Sequence, residues 1–139
     1  GQEFTYITTE NGLADNNIAQ IWQDSQGDVW VGTMFGGVSH FTNDTIINYH
    51  AEGIIKGVEA VGFYEDRSGN IWFAVEGDGI YRYDGKNFVN YNEDDGLITA
   101  GILSFLEDSK GRFWLGGWKG LFRFQENKFI PVEISGPWD

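Results

Sequence analysis

Three aspartates recur at a constant spacing, and their carboxylates are the groups in this chain that could most readily do chemistry. Asp24, Asp66 and Asp108 each stand 42 residues after the one before. Positioned carboxylates serve general acid–base catalysis, so a catalytic role has to be considered first. However, a group that recurs three times in equivalent places is typical of a scaffold rather than of one active site. We therefore interpret the three aspartates as structural residues.

The two histidines are the other candidates for catalysis or metal binding. His40 and His50 lie on different predicted strands, and no further histidine stands at ligand spacing, so the sequence predicts no metal site. No nucleophile-elbow phrase accompanies them, although the sequence alone leaves a Ser-His-Asp arrangement open. The chain has no cysteine, which excludes disulfides, thiolate metal sites and a cysteine nucleophile. The sequence indicates no cofactor.

Each recurring aspartate begins a phrase that also contains a glycine and a tryptophan. The phrases are DSQGDVW at 24–30, DRSGNIW at 66–72 and DSKGRFW at 108–114. An aspartate accepts backbone N–H groups at the start of a turn, and a glycine adopts positive φ, so each phrase predicts a tight hairpin. A strand-rich unit that repeats every 40 to 45 residues is typical of propeller blades.

The repeat predicts an all-β fold, a β-propeller segment of three four-stranded antiparallel blades. One segment covers residues 1–139, with repeats at about 9–50, 51–92 and 93–134. Residues 4–8 match the fourth-strand pattern, so residues 1–8 are predicted to form an additional outer strand. Because propellers usually have four to eight blades, we expect either self-association or completion by the remaining blades of a longer propeller.

The charge of the chain restricts its partners. The formal net charge is −12, which argues against nucleic acid because its binding proteins present basic surfaces. No apolar run approaches the length of a transmembrane helix, so membrane insertion is not expected.

Positions at which the repeats differ in chemistry are the better candidates for ligand binding. The loops between the second and third predicted strands form a candidate binding rim that consists of Met34, Phe35, Glu76, Asp78, Trp118 and Lys119. Exposed aromatic rings and carboxylates suit a sugar, which stacks on a ring face and donates its hydroxyls to polar groups. Ordinary sequence drift in loops is the alternative interpretation.

Several phrases resemble two-component regulator propeller repeats. They are NGLADNNIAQIWQDSQGDVWVGT, GGVSHF, GDGIYRYDGKNFVNYNEDDGL and EDSKGRFWLGG. The resemblance implies a bacterial, extracytoplasmic protein, periplasmic or secreted. It also implies a non-catalytic ligand-recognition or sensor module, with glycans or another small molecule as ligand. Two alternatives stay open: a propeller enzyme of the polysaccharide lyase or glycosidase type, and a protein–protein interaction scaffold.

Overall fold

The computed structural model describes residues 2–98 and 101–133; Ile134, the last residue of the third predicted repeat, lies outside them. The described residues contain twelve strands and two short 3-10 helices, at Thr9–Asn11 and Glu93–Asp95. The strands are β1 (Ile18–Gln23), β2 (Val29–Thr33), β3 (Val38–Thr42), β4 (Thr45–Asn48), β5 (Ala60–Glu65), β6 (Ile71–Val75), β7 (Gly79–Tyr83), β8 (Phe88–Tyr91), β9 (Ile102–Glu107), β10 (Phe113–Gly117), β11 (Gly120–Gln125) and β12 (Lys128–Pro131).

The strands form three four-stranded sheets in which sequence neighbours are hydrogen-bonded neighbours. The sheets contain β1 to β4, β5 to β8 and β9 to β12. Neighbouring strands pair antiparallel throughout the first and third sheets, and β7 pairs antiparallel with both β6 and β8. This confirms the predicted all-β class and the three four-stranded units. Pro131 lies in the outermost strand of the third sheet, where a missing backbone N–H is tolerated.

The Asp-Gly-Trp phrase builds the turn between the first and second strands of each sheet. In the second sheet, one carboxylate oxygen of Asp66 accepts the backbone N–H groups of Ser68 and Asn70, both at 2.9 Å. The other oxygen accepts the indole N–H of Trp72 at 2.8 Å. Gly69 closes the turn with a φ of 84°, a conformation that side chains with a Cβ rarely adopt. The side chain of Asp66 therefore links the hairpin turn to the buried indole ring of Trp72.

The other two sheets repeat this bond. The indole of Trp30 donates to Asp24 at 2.9 Å, and the indole of Trp114 donates to Asp108 at 2.8 Å. In all three sheets the third strand then places a nitrogen-bearing side chain over the tryptophan, directly opposite it in the ladder. These side chains are Arg82 over Trp72, Arg123 over Trp114, and His40, which stacks on Trp30 with ring centroids 3.7 Å apart.

The chain divides into two compact units between Ala60 and Val61. The first unit contains the sheet of β1 to β4, with Trp30, Val38 and Ile55 fully buried. The second unit contains the other two sheets. Its core lies where they pack together, and Trp72 occupies the centre of that core.

Aromatic rings from both sheets of the second unit surround Trp72. The centroid of Phe113 in β10 lies 4.6 Å from it, and that of Phe124 in β11 lies 5.4 Å from it. Tyr91 of the second sheet stacks at 5.7 Å. Such pairs contribute roughly 0.5–1.5 kcal/mol each beyond the area they bury. The packing therefore holds the loops of these two sheets in fixed positions.

The structure corrects the prediction of an additional outer strand near the start of the chain. Residues 2–8 form no strand, and Phe4 and Tyr6 are exposed. The sequence likeness to β8 is genuine, because both segments lead into a 3-10 helix with the same capping box. However, a strand needs a hydrogen-bonded neighbour, and no described strand pairs with residues 2–8.

Two glycines with nearly the same backbone conformation provide a test of the packing in the second unit. A Cβ at Gly96, which has a φ of 88°, would lie 2.4 Å from the carbonyl oxygen of Phe129. A Cβ at Gly69, with a φ of 84°, would meet no atom within 4 Å. We expect Gly69→Ala to lower the free energy of unfolding by about 1–2 kcal/mol. Gly96→Ala should cost a further ~1–3 kcal/mol through steric overlap.

Urea unfolding of both variants measures this difference. Equal losses at the two positions would show that the connection at Gly96 does not pack as closely against β12 as described.

Candidate functional site

A polar cleft lies in the second unit, on the side of the β6–β7 loop. Its volume is about 550 Å³, within the range usual for small-ligand sites. The lining comes from the β6–β7 loop, the end of β8, the second 3-10 helix with its following connection, and the β10–β11 loop. Its main side chains are Asp78, Asn90, Asn92, Asp94, Ile98 and Lys119.

The polar groups of the second sheet in this cleft are held in place by one another. Asn90 donates its amide to the backbone carbonyl of Asp78 at 2.8 Å, and the hydroxyl of Tyr81 donates to the Asp78 carboxylate. Asn92 donates to the Asn90 side-chain oxygen at 3.2 Å and accepts the backbone N–H of Asp94 at 3.0 Å. The cleft therefore presents amides and carboxylates whose positions are set before any ligand arrives.

The charges around the cleft are unequal. Carboxylates come from Asp78, Glu93 and Asp94 in the second repeat and its connection, whereas Lys119 from the third sheet supplies an ammonium group. The excess of carboxylates favours hydrogen-bond donors such as hydroxyl or amino groups over anionic ligands.

Trp118, the neighbour of Lys119, is held flat against the backbone. A Cβ at Gly101 would lie only 2.6 Å from Cδ2 of the Trp118 ring, so the ring rests directly on this glycine. The backbone N–H of Trp118 also donates to the carbonyl of Gly101 at 2.9 Å. The side chain is nevertheless 70% exposed. One ring face is therefore supported while the other is open to solvent.

The structure brings together some of the rim residues that the sequence predicted. Asp78 and Lys119 line the same cleft, and Trp118 is adjacent to Lys119 in the chain. Glu76 lies in the same loop as Asp78 but is exposed and does not line the cleft.

The remaining predicted rim residues belong to the first unit. The backbone N–H of Met34 donates to the carbonyl of Asn17 at 2.9 Å, and that of Phe35 donates to the Asp15 carboxylate at 3.2 Å. Phe35 is 66% exposed. Met34 and Phe35 stay predictions as ligand-binding residues.

Sequence reasoning missed the asparagines of the cleft. Asn90 lies in β8 and Asn92 follows that strand directly, outside the loops in which the repeats differ most. Asn90 has an equivalent in Asn48, 42 residues earlier, so a search for divergent positions passes over it. The signal that could have found the site is the polar run from Asn90 to Asp95 between a strand and the Gly-Leu connection.

Among the recurring aspartates, Asp108 is held in its ionised form by its hydrogen-bond partners. Burial alone would raise the pKa of Asp108, but the indole of Trp114 and the backbone and side-chain N–H groups of Arg112 hold it well below its ordinary value. Arg112 also lies over the Trp114 ring, at 5.3 Å from its centroid. A carboxylate stabilised in this way stays ionised and does not act as a general acid near neutral pH.

His40 is a buried structural residue. Its Nε2 lies 2.9 Å from the Asp28 carboxylate and its Nδ1 lies 2.7 Å from the Tyr49 hydroxyl. Because a carboxylate only accepts hydrogen bonds, Nε2 carries the proton in the neutral ring. Burial lowers the pKa of His40 despite the raising effect of Asp28.

One group of side chains in the described residues has the composition of a metal site. Oxygen or nitrogen atoms of Asp24, Asp28 and His40 lie within 4.8 Å of one another. However, Asp24 already accepts the Trp30 indole and His40 already donates to Asp28. We interpret this group as a hydrogen-bonded network that replaces the arginine of the other two sheets.

Two stretches of the chain match a known family of repeats. Residues 12–35 and 96–119 match the model of the family described as two component regulator propeller. These two stretches of the chain resemble two component regulator propeller repeats. A search of curated proteins found no matching relative.

Several solved structures resemble the chain. The extracellular domain of a one component system from B. thetaiotaomicron has a TM-score of 0.68 and 17% identity, covering 86% of this chain and 19% of that one. The extracellular domain of a hybrid two component system from the same organism has a TM-score of 0.50 and 24% identity, covering 89% and 17%. A streptogramin B lyase has a TM-score of 0.59 and 18% identity, covering 88% and 43%.

These similarities establish the fold. The chain spans about a fifth of the length of the two extracellular domains and less than half of the lyase. No helix among the described residues has the length and apolar character needed to cross a membrane.

The lowered pKa of Asp108 predicts a specific pH dependence of stability. Its folded-state pKa lies below the ordinary value of 3.8. Its contribution is therefore fully present above that value and is lost as the pH falls through the folded-state pKa. We expect Asp108→Asn to lower the free energy of unfolding at pH 7 and to flatten its decline below about pH 4.

Urea unfolding between pH 7 and pH 2.5 measures this profile. Asp44→Asn, which removes an exposed carboxylate in the β3–β4 turn, is the control for loss of charge alone. An acid decline in Asp108→Asn as steep as in the wild type would contradict the assignment.

Proposed function

We propose that this chain is a non-catalytic ligand-recognition module of a bacterial extracytoplasmic sensor, and that it binds a polyhydroxylated ligand such as a glycan. The observation that carries the proposal is the polar cleft of the second unit. There, positioned amides and carboxylates face Lys119, next to the supported and exposed ring of Trp118.

The side chains of the cleft complement the groups of a sugar. Asp78 and Asp94 can accept hydrogen bonds from hydroxyls, and the amide of Asn92 can donate and accept. Trp118 offers a flat apolar face for the C–H groups of a pyranose ring, which is the usual role of aromatic rings in such sites. Ile98 adds an exposed apolar surface at the cleft. The excess of carboxylates supports a neutral or amino sugar over an acidic one.

The repeat family and the similar structures support a sensor role. The matching family is named for two component regulators, and two of the similar structures are extracellular domains of bacterial signalling systems. We propose the same sensor role and an extracytoplasmic location for this chain.

The enzyme alternative has less support from the residues of the cleft. The streptogramin B lyase shares the fold, and the carboxylates of Asp78, Glu93 and Asp94 could exchange protons, but the described lining gives them no basic partner other than Lys119. Neither His40, which is buried against Trp30, nor His50, which donates to the carbonyl of Ile55, is among the lining residues. The described lining also contains no arginine.

A glycan array followed by calorimetry tests the proposal. For the glycan that the wild type binds, we expect Trp118→Ala to weaken affinity by about tenfold or more, as loss of a stacking ring does. Its unfolding free energy should change by less than ~1 kcal/mol, because the side chain is mostly exposed.

Tyr6→Ala is the matched control, because Tyr6 is an exposed aromatic residue of the first unit that is not among the predicted rim residues. Lys119→Ala should also weaken binding, whereas Lys86→Ala, outside the cleft, should not. Wild-type binding to no glycan on the array would contradict the ligand class, and equal affinity in Trp118→Ala and wild type would exclude the proposed site.

A further inference from the structure

Asp78 is held in the cleft through both its backbone and its side chain. Its backbone N–H donates to the carbonyl of Val75 at 3.0 Å, and its own carbonyl accepts the side-chain amide of Asn90 at 2.8 Å. Its carboxylate accepts the hydroxyl of Tyr81. The backbone bonds still allow the side chain to rotate between staggered rotamers, and the bond from Tyr81 restricts that rotation.

The Tyr81 hydroxyl is itself mounted on the aromatic interior of the second sheet. The residue is 4% exposed, and its ring stacks on that of Phe73 with centroids 5.6 Å apart and planes 12° apart. The ring of Phe88 meets it edge-on at 6.3 Å. A ring packed in this way keeps one rotamer. The interior of the sheet therefore sets the position of a carboxylate in the cleft.

The first and third sheets have no tyrosine at this position. Ser39 and Phe122 are the equivalents of Tyr81, because each stands one residue before the side chain that lies opposite the recurring tryptophan. The hydroxyl of Ser39 donates to the Asn48 side chain at 2.7 Å and accepts the backbone N–H of Ala14 at 3.0 Å. Phe122 has no hydroxyl. The strand position therefore reaches a loop carboxylate in the second sheet alone among the three described sheets.

The loop differs together with the strand. Asp78 stands where the first sheet has Gly36, and the β10–β11 loop of the third sheet is one residue shorter than the β6–β7 loop. A loop carboxylate and a tyrosine hydroxyl thus occur as a pair in the sheet that contributes Asp78 to the cleft. The other two sheets form the same four strands without this pair, so the fold does not require it.

We propose that Tyr81 is a positioning residue of the cleft, whose buried hydroxyl holds the Asp78 carboxylate in the orientation in which it accepts hydrogen bonds from a ligand. This inference rests on the ligand-binding function proposed above. A carboxylate that is ordered before binding loses less side-chain freedom when the ligand arrives, which strengthens affinity. Because a carboxylate only accepts hydrogen bonds, Asp78 selects hydroxyl or ammonium groups of the ligand.

Tyr81→Phe is the test variant, because it removes one oxygen and keeps the stacked ring. Phe122 is 1% exposed at the equivalent position of the third sheet, so a phenylalanine fits the scaffold there. Tyr83→Phe is the matched control. Tyr83 lies in the same strand, and its hydroxyl donates to the carbonyl of Gly85 at 2.9 Å, outside the residues that line the cleft.

The rotamer of Asp78 tests the positioning without any ligand. Three-bond NMR couplings to Cγ of Asp78 report how its side chain is distributed between rotamers. We expect a single rotamer in the wild type and in Tyr83→Phe, and averaging over rotamers in Tyr81→Phe. A single, unchanged rotamer in Tyr81→Phe would overturn the positioning role.

Binding tests the consequence for the ligand. The probes are the methyl glycosides of glucose, galactose, mannose and glucosamine, which carry hydroxyl or ammonium donors, titrated into the full chain by NMR. For each glycoside that the wild type binds, we expect Tyr81→Phe to raise the dissociation constant about fivefold or more, and Tyr83→Phe to leave it unchanged.

A double-mutant cycle separates action through Asp78 from a general structural effect. In an Asp78→Ala background, Tyr81→Phe should change the dissociation constant by less than about twofold, because the carboxylate that it positions is gone. An equal loss of affinity in both backgrounds would overturn the inference. If the wild type binds none of the four glycosides, the ligand class of the proposed function is contradicted, and the rotamer measurement still decides whether Tyr81 positions Asp78.

Discussion

The hydrogen bond from a buried tryptophan indole to an aspartate carboxylate is the interaction on which the rest of this structure depends. A buried indole N–H without a partner would cost about 1–3 kcal/mol, and the carboxylate satisfies it while its other oxygen closes the preceding hairpin. The bond occurs once in each sheet. It fixes the turn, the second strand and the ring around which the next layer packs, so it explains why aspartate, glycine and tryptophan recur with one spacing.

The recurring scaffold leaves the loops at the other end of the strands free to differ. At one equivalent loop position the chain has Met34, Glu76 and Trp118, which share neither charge nor shape. In the third sheet the tryptophan at this position rests on Gly101, whose lack of a side chain lets the ring lie against the backbone. Sequence variation is therefore concentrated where a change alters the surface without disturbing the packed interior.

The sequence was sufficient to predict the fold because the fold is made of its repeated part. The three sheets follow the predicted repeats, and β4 and β8 end before the predicted repeat boundaries at 50 and 92 because Asn92, for example, caps a 3-10 helix instead. The strand expected at residues 4–8 is absent because pairing requires a partner that local sequence does not specify. The same limit applies to β1, where Ile18 and Ile21 are exposed because covering them requires a neighbour that local sequence does not specify.

The cleft could be predicted only in part, for a related reason. Divergence between repeats identified Asp78, Lys119 and Trp118, but Asn90 and Asn92 serve both the scaffold and the cleft and so do not stand out. The sequence around His40 does not by itself indicate the structural role of this residue. Its role is evident only from its register opposite Trp30, where the other sheets place an arginine opposite their tryptophan.

Amide and indole hydrogen exchange followed by NMR, with the chain labelled with ¹⁵N at its tryptophans, tests the central interaction most directly. Substituting each tryptophan by phenylalanine in turn assigns the indole signals. The account predicts slow exchange for the indole N–H groups of Trp30, Trp72 and Trp114, and fast exchange for that of Trp118, which is exposed. Exchange at Trp30, Trp72 and Trp114 as fast as at Trp118 would contradict the claim that these bonds hold the fold together.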